Sequence, residues 1–146
     1  MTALLAGQVV ATLALTGLVW FVQVVHYPLF PDAGRTGFAD YERRHTALTA
    51  LVVGPPMLAE AATGVLLLWF RPPGAAAWQL WAGLALIAVV WLSTARLQVP
   101  CHEGLCQGFD PDIHRRLVRT NWVRTAAWTL RSALALALTW SALGPG

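Results

Sequence analysis

Charge is scarce in this sequence. Only 12% of its 146 residues are Asp, Glu, Lys or Arg; lysine is absent, and all ten cations are arginine. There are two cysteines and two methionines. So little charge beside 57% hydrophobic residues excludes a disordered tail, a nucleic-acid arm and an ordinary cytosolic enzyme, since soluble chains are about 45–50% apolar. No internal repeat is visible, no linker long enough to separate domains, and no GxxxG pair within the apolar stretches. The net charge of +3 forms no single basic patch, because the arginines sit beside the apolar segments. That pattern records membrane orientation more often than polyanionic cargo. What remains is one integral membrane domain, with the lipid bilayer as its partner and nucleic acid excluded.

Four apolar stretches are present, at about 3–27, 41–70, 75–98 and 112–142. Each reaches the roughly 20 helical residues that cross a hydrocarbon core. Lipid offers backbone groups no hydrogen bonds, so each is expected to be a helix. The expected fold is all-α, an integral membrane up-down four-helix bundle in a single domain. The first stretch has no charged n-region, and His26, Tyr27 and Pro28 follow it rather than a small-residue cleavage site. It reads as a retained span, not a signal peptide. Arg71-Pro72-Pro73-Gly74 is a tight turn that makes spans two and three antiparallel neighbours.

Arg35, Arg43, Arg44, Arg96, Arg115, Arg116 and Arg119 gather on the side of the first and third connections, and Arg71 lies opposite. The positive-inside bias then puts those connections in the cytoplasm and both termini outside a multi-pass cell-membrane protein. Trp69, Trp78, Trp81 and Trp140 near the outer ends fit an aromatic belt. Pro55 and Pro56 are expected to kink span two, Gly7 and Gly17 to allow close helix packing, and Asp32 and Asp40 to serve as connection or cap residues.

Ionisable groups inside a span are expensive, so each needs a partner or a function. Glu60 lies near the midplane of span two. Arg131 is about as deep in span four, with Arg124 as the alternative partner. One reading is a buried ion pair that fixes register; the other is a proton-handling carboxylate with Arg131 as counter-charge. Polar residues also fall into helical stripes: Thr12, Thr16, Gln23 and His26; Glu42, His45, Thr49, Pro56 and Glu60; Thr94, Gln98 and Cys101; His114, Asn121, Arg124, Trp128 and Arg131. Since lipid cannot satisfy them, the stripes are expected to face one another. Interhelical hydrogen bonding accounts for Thr12, Thr16 and Thr94.

All four histidines, His26, His45, His102 and His114, map to the expected cytoplasmic end with Glu42, Glu103, Cys101 and Cys106. Imidazoles and carboxylates together suit a transition metal, with His26, Glu42, His45, His102 and His114 as candidate ligands; His26 and His114 could instead hold haem axially. Glu42-x-x-His45 is the element that di-iron bundles use twice, but only one copy is present. Cys101-His102-Glu103-Gly104-Leu105-Cys106 matches no zinc-finger or c-type haem spacing. On a reducing side its thiols are expected to be free or ligating. Each histidine alone is explained by a hydrogen bond to a carbonyl or head group, and His102 and His114 are expected in or beside the third connection.

Between Thr94 and Arg131, Pro100, Asn121, Trp122 and Arg124 stand where a Pro-ended third span leads to a fourth span opening with Trp, Asn and Arg. This resembles the small four-span membrane proteins grouped with fungal anthrone oxygenases. The likeness covers about a quarter of the chain, and the histidines lie outside it. It implies membrane-embedded oxidation of an aromatic or lipophilic substrate. The expected function is therefore a membrane oxidoreductase, metal- or haem-assisted. Its lipophilic substrate would enter from the bilayer, with His45 in the site and Asn121 and Arg124 orienting the substrate or stabilising negative charge. The alternatives are a transport or proton-relay component using Glu60 and Arg131, which would need to form a homo-oligomer, and a non-catalytic subunit.

Overall fold

The computed structural model describes residues 1–143 and is all-helical, with no strand among the described residues. Helix α1 (Thr2–Phe21) continues through a π-helical turn, Val22–His26. A short 3-10 turn (Phe30–Ala33) leads to α2 (Phe38–Trp69). Helix α3 (Ala77–Ser93) passes through a second π turn, Thr94–Gln98, into α4 (Val99–Leu105), and α5 spans Pro111–Leu143. Three of these helical runs, Thr2–His26, Phe38–Trp69 and Ala77–Leu105, are long and apolar enough to cross a membrane. The chain is a membrane protein on that ground. The expected fourth span, α5, is not among them; it carries Arg115, Arg116, Arg119 and Arg124 in its first half and Arg131 in its second.

The third connection is shorter than expected. Residues 99–105, read from the sequence as loop, extend the helix begun at Ala77. Pro100 has no N–H to donate, so a plain α-helix would lose a bond there. The π turn before it re-registers the ladder, with the Val99 amide bonded to the Thr94 carbonyl. Val22–His26 does the same two residues before Pro28, where Tyr27 N–H donates to Val22 O at 2.9 Å. Such bulges concentrate at functional sites, and both of these deliver site residues.

Three apolar layers stack along the molecule. Leu5, Leu67, Leu80 and Leu138 pack at one end; Leu15, Val53, Met57, Val90 and Trp128 in the middle; Phe30, Phe38, Cys101, Leu105 and Leu117 at the other end. Outward positions are also apolar, among them Leu51, Leu58, Trp69, Trp78, Leu130 and Trp140. Apolar residues both inside and outside are what lipid solvation permits. Helix α5 packs closely on α1 and α3, and α1 on α2, while α2 and α3 meet more loosely.

Several local expectations change. Helix α2 runs unbroken through Pro55 and Pro56. Gly17 faces nothing within 4 Å, whereas a Cβ on Gly83 would lie 2.4 Å from Arg131 Nη1. At Gly83 the close approach is thus to a guanidinium and not to another backbone. Asp40 lies in the first turn of α2, paired with Arg43, and Asp110 caps α5 through the Asp112 and Ile113 amides at 2.8 and 3.1 Å. Thr94 bonds the Val90 carbonyl of its own helix.

Candidate functional site

Two buried polar clusters sit on different levels of the molecule. In the middle, Glu60 is 1% exposed and fully engaged. Its Oε1 accepts from Thr12 Oγ1 at 2.8 Å and lies 3.7 Å from Arg131 Nε; its Oε2 accepts from Trp128 Nε1 at 3.0 Å. Gln8 extends the chain, donating to Thr12 Oγ1 and accepting from Thr63 Oγ1. Arg131, not Arg124, is the ion-pair partner of Glu60. Gly83 leaves space for its guanidinium.

At the other level, Glu42 is completely buried. Its Oε1 accepts from His102 Nδ1 at 2.5 Å, while its Oε2 is buried without a hydrogen-bond partner. His45, one turn on along α2, brings a second imidazole. One donor atom each from Glu42, His45 and His102 lie within 4.8 Å of one another. That arrangement takes two residues from the start of α2 and one from α4, where Pro100 and the preceding π turn set the direction of the helix.

Outer contacts orient the imidazoles. His26 Nε2 lies 3.1 Å from His45 Nδ1, and Thr49 Oγ1 lies 3.2 Å from the same atom. Tyr27, which the sequence had not singled out, places its hydroxyl 3.0 Å from His102 Nε2. Burial pushes the Tyr27 phenol up to about 12, against a smaller opposite pull from Arg124. In the metal-free protein the phenol donates to Nε2 and Nδ1–H to the Glu42 carboxylate; a metal on Nδ1 would displace that proton and reverse the Tyr27 contact, with Nε2–H donating to the phenol oxygen. Hydrogen bonds of this kind fix ring orientation around a metal.

The other candidate ligands are placed differently. His26 stands behind His45, with ring centroids 4.6 Å apart, so no porphyrin fits between them. His114 Nε2 bonds the Tyr27 carbonyl at 2.8 Å and its ring stacks on Phe30, a structural contact. The His26–His45 pair thus offers no axial haem geometry, and His114 Nε2 is already engaged with a backbone carbonyl. Cys101 and Cys106 are both free thiols. Cys106 lies outside the candidate spans, and burial raises its pKa, so it is not an activated thiolate. Asn121 is buried, donates to Gln23 Oε1 at 2.9 Å and receives Arg124 Nη1 at 3.4 Å. It holds α1 to α5 and does not line the cavity described next.

Between α2 and α3 lies a cavity of about 450 Å³. Its polar end carries Tyr27, His45, His102 and Arg124; Val53, Met57, Leu58 and Trp91 make its walls apolar. Ligand sites are typically cavities of this size, with apolar walls and a few convergent polar groups. No family model, curated protein or solved structure matches this chain.

Proposed function

We propose that the chain is a four-helix membrane bundle that holds a transition metal on Glu42, His45 and His102 and oxidises a lipophilic substrate in the adjoining cavity. The carrying observation is Glu42: a completely buried carboxylate with one oxygen unpartnered, beside two imidazoles at the polar end of an apolar chamber. Burying such a group without a partner is costly, and a cation is the partner these donors suit. Two imidazoles and one carboxylate are the donor set of non-haem ferrous oxygenases, and of catalytic zinc sites. The apolar walls favour oxidation over hydrolysis, because they offer ordered water few partners. The likeness of Pro100, Asn121, Trp122 and Arg124 to the anthrone-oxygenase pattern points the same way.

In this reading α5 is the fourth span. Its outer residues Trp122, Val123, Leu130 and Trp140 are exposed and apolar, while Arg124 and Arg131 are turned inward. Seven arginines at the site's end support a cytoplasmic location for that end, with both termini outside. A bound ferrous ion would supply redox chemistry, with dioxygen as the oxidant that accepts the substrate's electrons. The protein residues supply the rest: Tyr27 and His26 hold the imidazoles, the apolar walls exclude water, and Arg124 receives developing negative charge.

Metal analysis and an absorption spectrum of the purified protein test this. The expected result is bound iron without a Soret band, lost in Glu42→Gln and His102→Ala while folded yield persists. A metal-free protein with Glu60-dependent proton flux in vesicles would overturn it in favour of a relay. Metal-free protein that co-purifies tightly with a partner would instead mark a non-catalytic subunit.

A further inference from the structure

Helix α5 carries two buried arginines seven residues apart on one face. They are treated differently. Arg131, 4% exposed, faces Glu60; Arg124, 8% exposed, has no carboxylate partner among the described residues. Around Arg124 are neutral groups: Asn121 Oδ1 at 3.4 Å, the Trp128 ring at 5.0 Å and the Tyr27 phenol. Its Nε, like that of Arg131, is buried with no hydrogen-bond partner, so the difference between the two lies in the missing carboxylate. The side chain nevertheless lines the α2–α3 cavity, as its one cation. The one carboxylate on the lining, Glu103, belongs to an exposed residue and makes no ion pair with Arg124.

A buried cation without an anion is strongly disfavoured, and guanidinium geometry matches carboxylate. The walls beyond it are apolar, and the seam between α2 and α3 is looser than the α1–α2, α1–α5 and α3–α5 contacts, flanked by exposed Leu58 and Val99. We infer that the cavity binds a single-chain lipophilic carboxylate, its charged group paired with Arg124 and its tail leaving past Met57, Leu58 and Trp91 into the bilayer. This deepens the substrate-chamber reading and rests on it. The charge of the ligand, however, is recognised by Arg124 and not by the metal ligands. A diacyl phospholipid fits less well, because its head group would have to leave the interface for the inner end of the cavity, where Arg124 is buried.

The test uses detergent-solubilised full-length protein with cis-parinaric acid as fluorescent probe, displaced by palmitate, hexadecyl phosphate or hexadecanol. In wild type, palmitate is expected to displace the probe at concentrations at least about tenfold below hexadecanol, the range of a charge-assisted pair. Glu42→Gln, stripped of metal, keeps that preference, so loss of the metal and loss of the ligand site are separable. Arg124→Gln abolishes it. Equal displacement by palmitate and hexadecanol in wild type, a preference that survives Arg124→Gln, or stronger displacement by hexadecyl phosphate would overturn the assignment. If Arg124→Gln does not fold, Cys106 on the cavity wall reports instead. Palmitate, and not hexadecanol, should slow maleimide alkylation of wild-type Cys106 at matched concentration. Equal protection, or none, contradicts the proposal.

Discussion

Glu60 and Glu42 are both buried carboxylates on α2, five turns apart, and they are built to opposite ends. Around Glu60 both oxygens are answered: Thr12, Trp128 and Arg131 converge on it from α1 and α5. Around Glu42 one oxygen meets His102 and the other meets nothing. A saturated carboxylate fixes the register of the helices that satisfy it. An unsaturated one weakens the fold unless something binds there. Saturated and unsaturated groups are thus separated by level within one small helical assembly, and α5 repeats the division, with Arg131 facing Glu60 and Arg124 facing no carboxylate among the described residues.

The contrast is broken most severely at Arg131. Arg131→Leu strands Glu60 in the interior and is expected to cost about 3–5 kcal/mol, read as a large fall in unfolding temperature or loss of folded protein. Glu60→Leu combined with Arg131→Leu should recover part of that loss, because neither charge is then uncompensated. If the double variant is no better than the sum of the singles, the two groups are not coupled.

Gly83→Ala comes next. The added Cβ would overlap the Arg131 guanidinium, and overpacking of this kind costs about 1–3 kcal/mol. Thermal unfolding in detergent checks it, and an unchanged unfolding temperature would mean that Arg131 has room to move. Smaller still is the effect of Glu42→Gln on the metal-free protein. Removing a half-satisfied buried charge is expected to leave stability unchanged or raise it by about 0.5–2 kcal/mol, while metal retention is lost. A drop like that of Arg131→Leu would erase the distinction between the two levels. Finest of all, Tyr27→Phe should leave the fold intact and weaken metal affinity by about 10–100-fold, as loss of an outer-shell hydrogen bond does. Competition against a chelator measures this, and an unchanged affinity would remove Tyr27 from the site.

Much of the interior was legible before the structure. Polar residues at helical spacing in an apolar chain have few places to go, so Thr12, Gln23, Glu42, Glu60, Gln98, Asn121, Arg124 and Arg131 fell on facing stripes and are buried. What periodicity could not show lies beyond the two π turns. A π turn adds one residue to the helical cycle, so a pattern drawn at 100° per residue loses its phase there. Tyr27 was missed for that reason. His102 was assigned to a connection because Pro100 reads as a helix break, although the π turn before it lets the helix go on. Its apparent twin His114 shares the same end and chemistry, yet its ring nitrogen is bound to a backbone carbonyl. No spacing rule distinguishes the two. Gly64 and Gly83 carried no motif, since what each accommodates is a side chain from another helix.

X-ray absorption at the edge of the bound metal examines Glu42 most directly. A first shell of nitrogen and oxygen only is expected, at about 2.0–2.2 Å, with the multiple-scattering signature of two imidazoles, and no bound-metal edge in Glu42→Gln. A sulfur ligand at about 2.3 Å, or a spectrum unchanged by Glu42→Gln, would contradict it and move the chemistry away from the unsatisfied carboxylate.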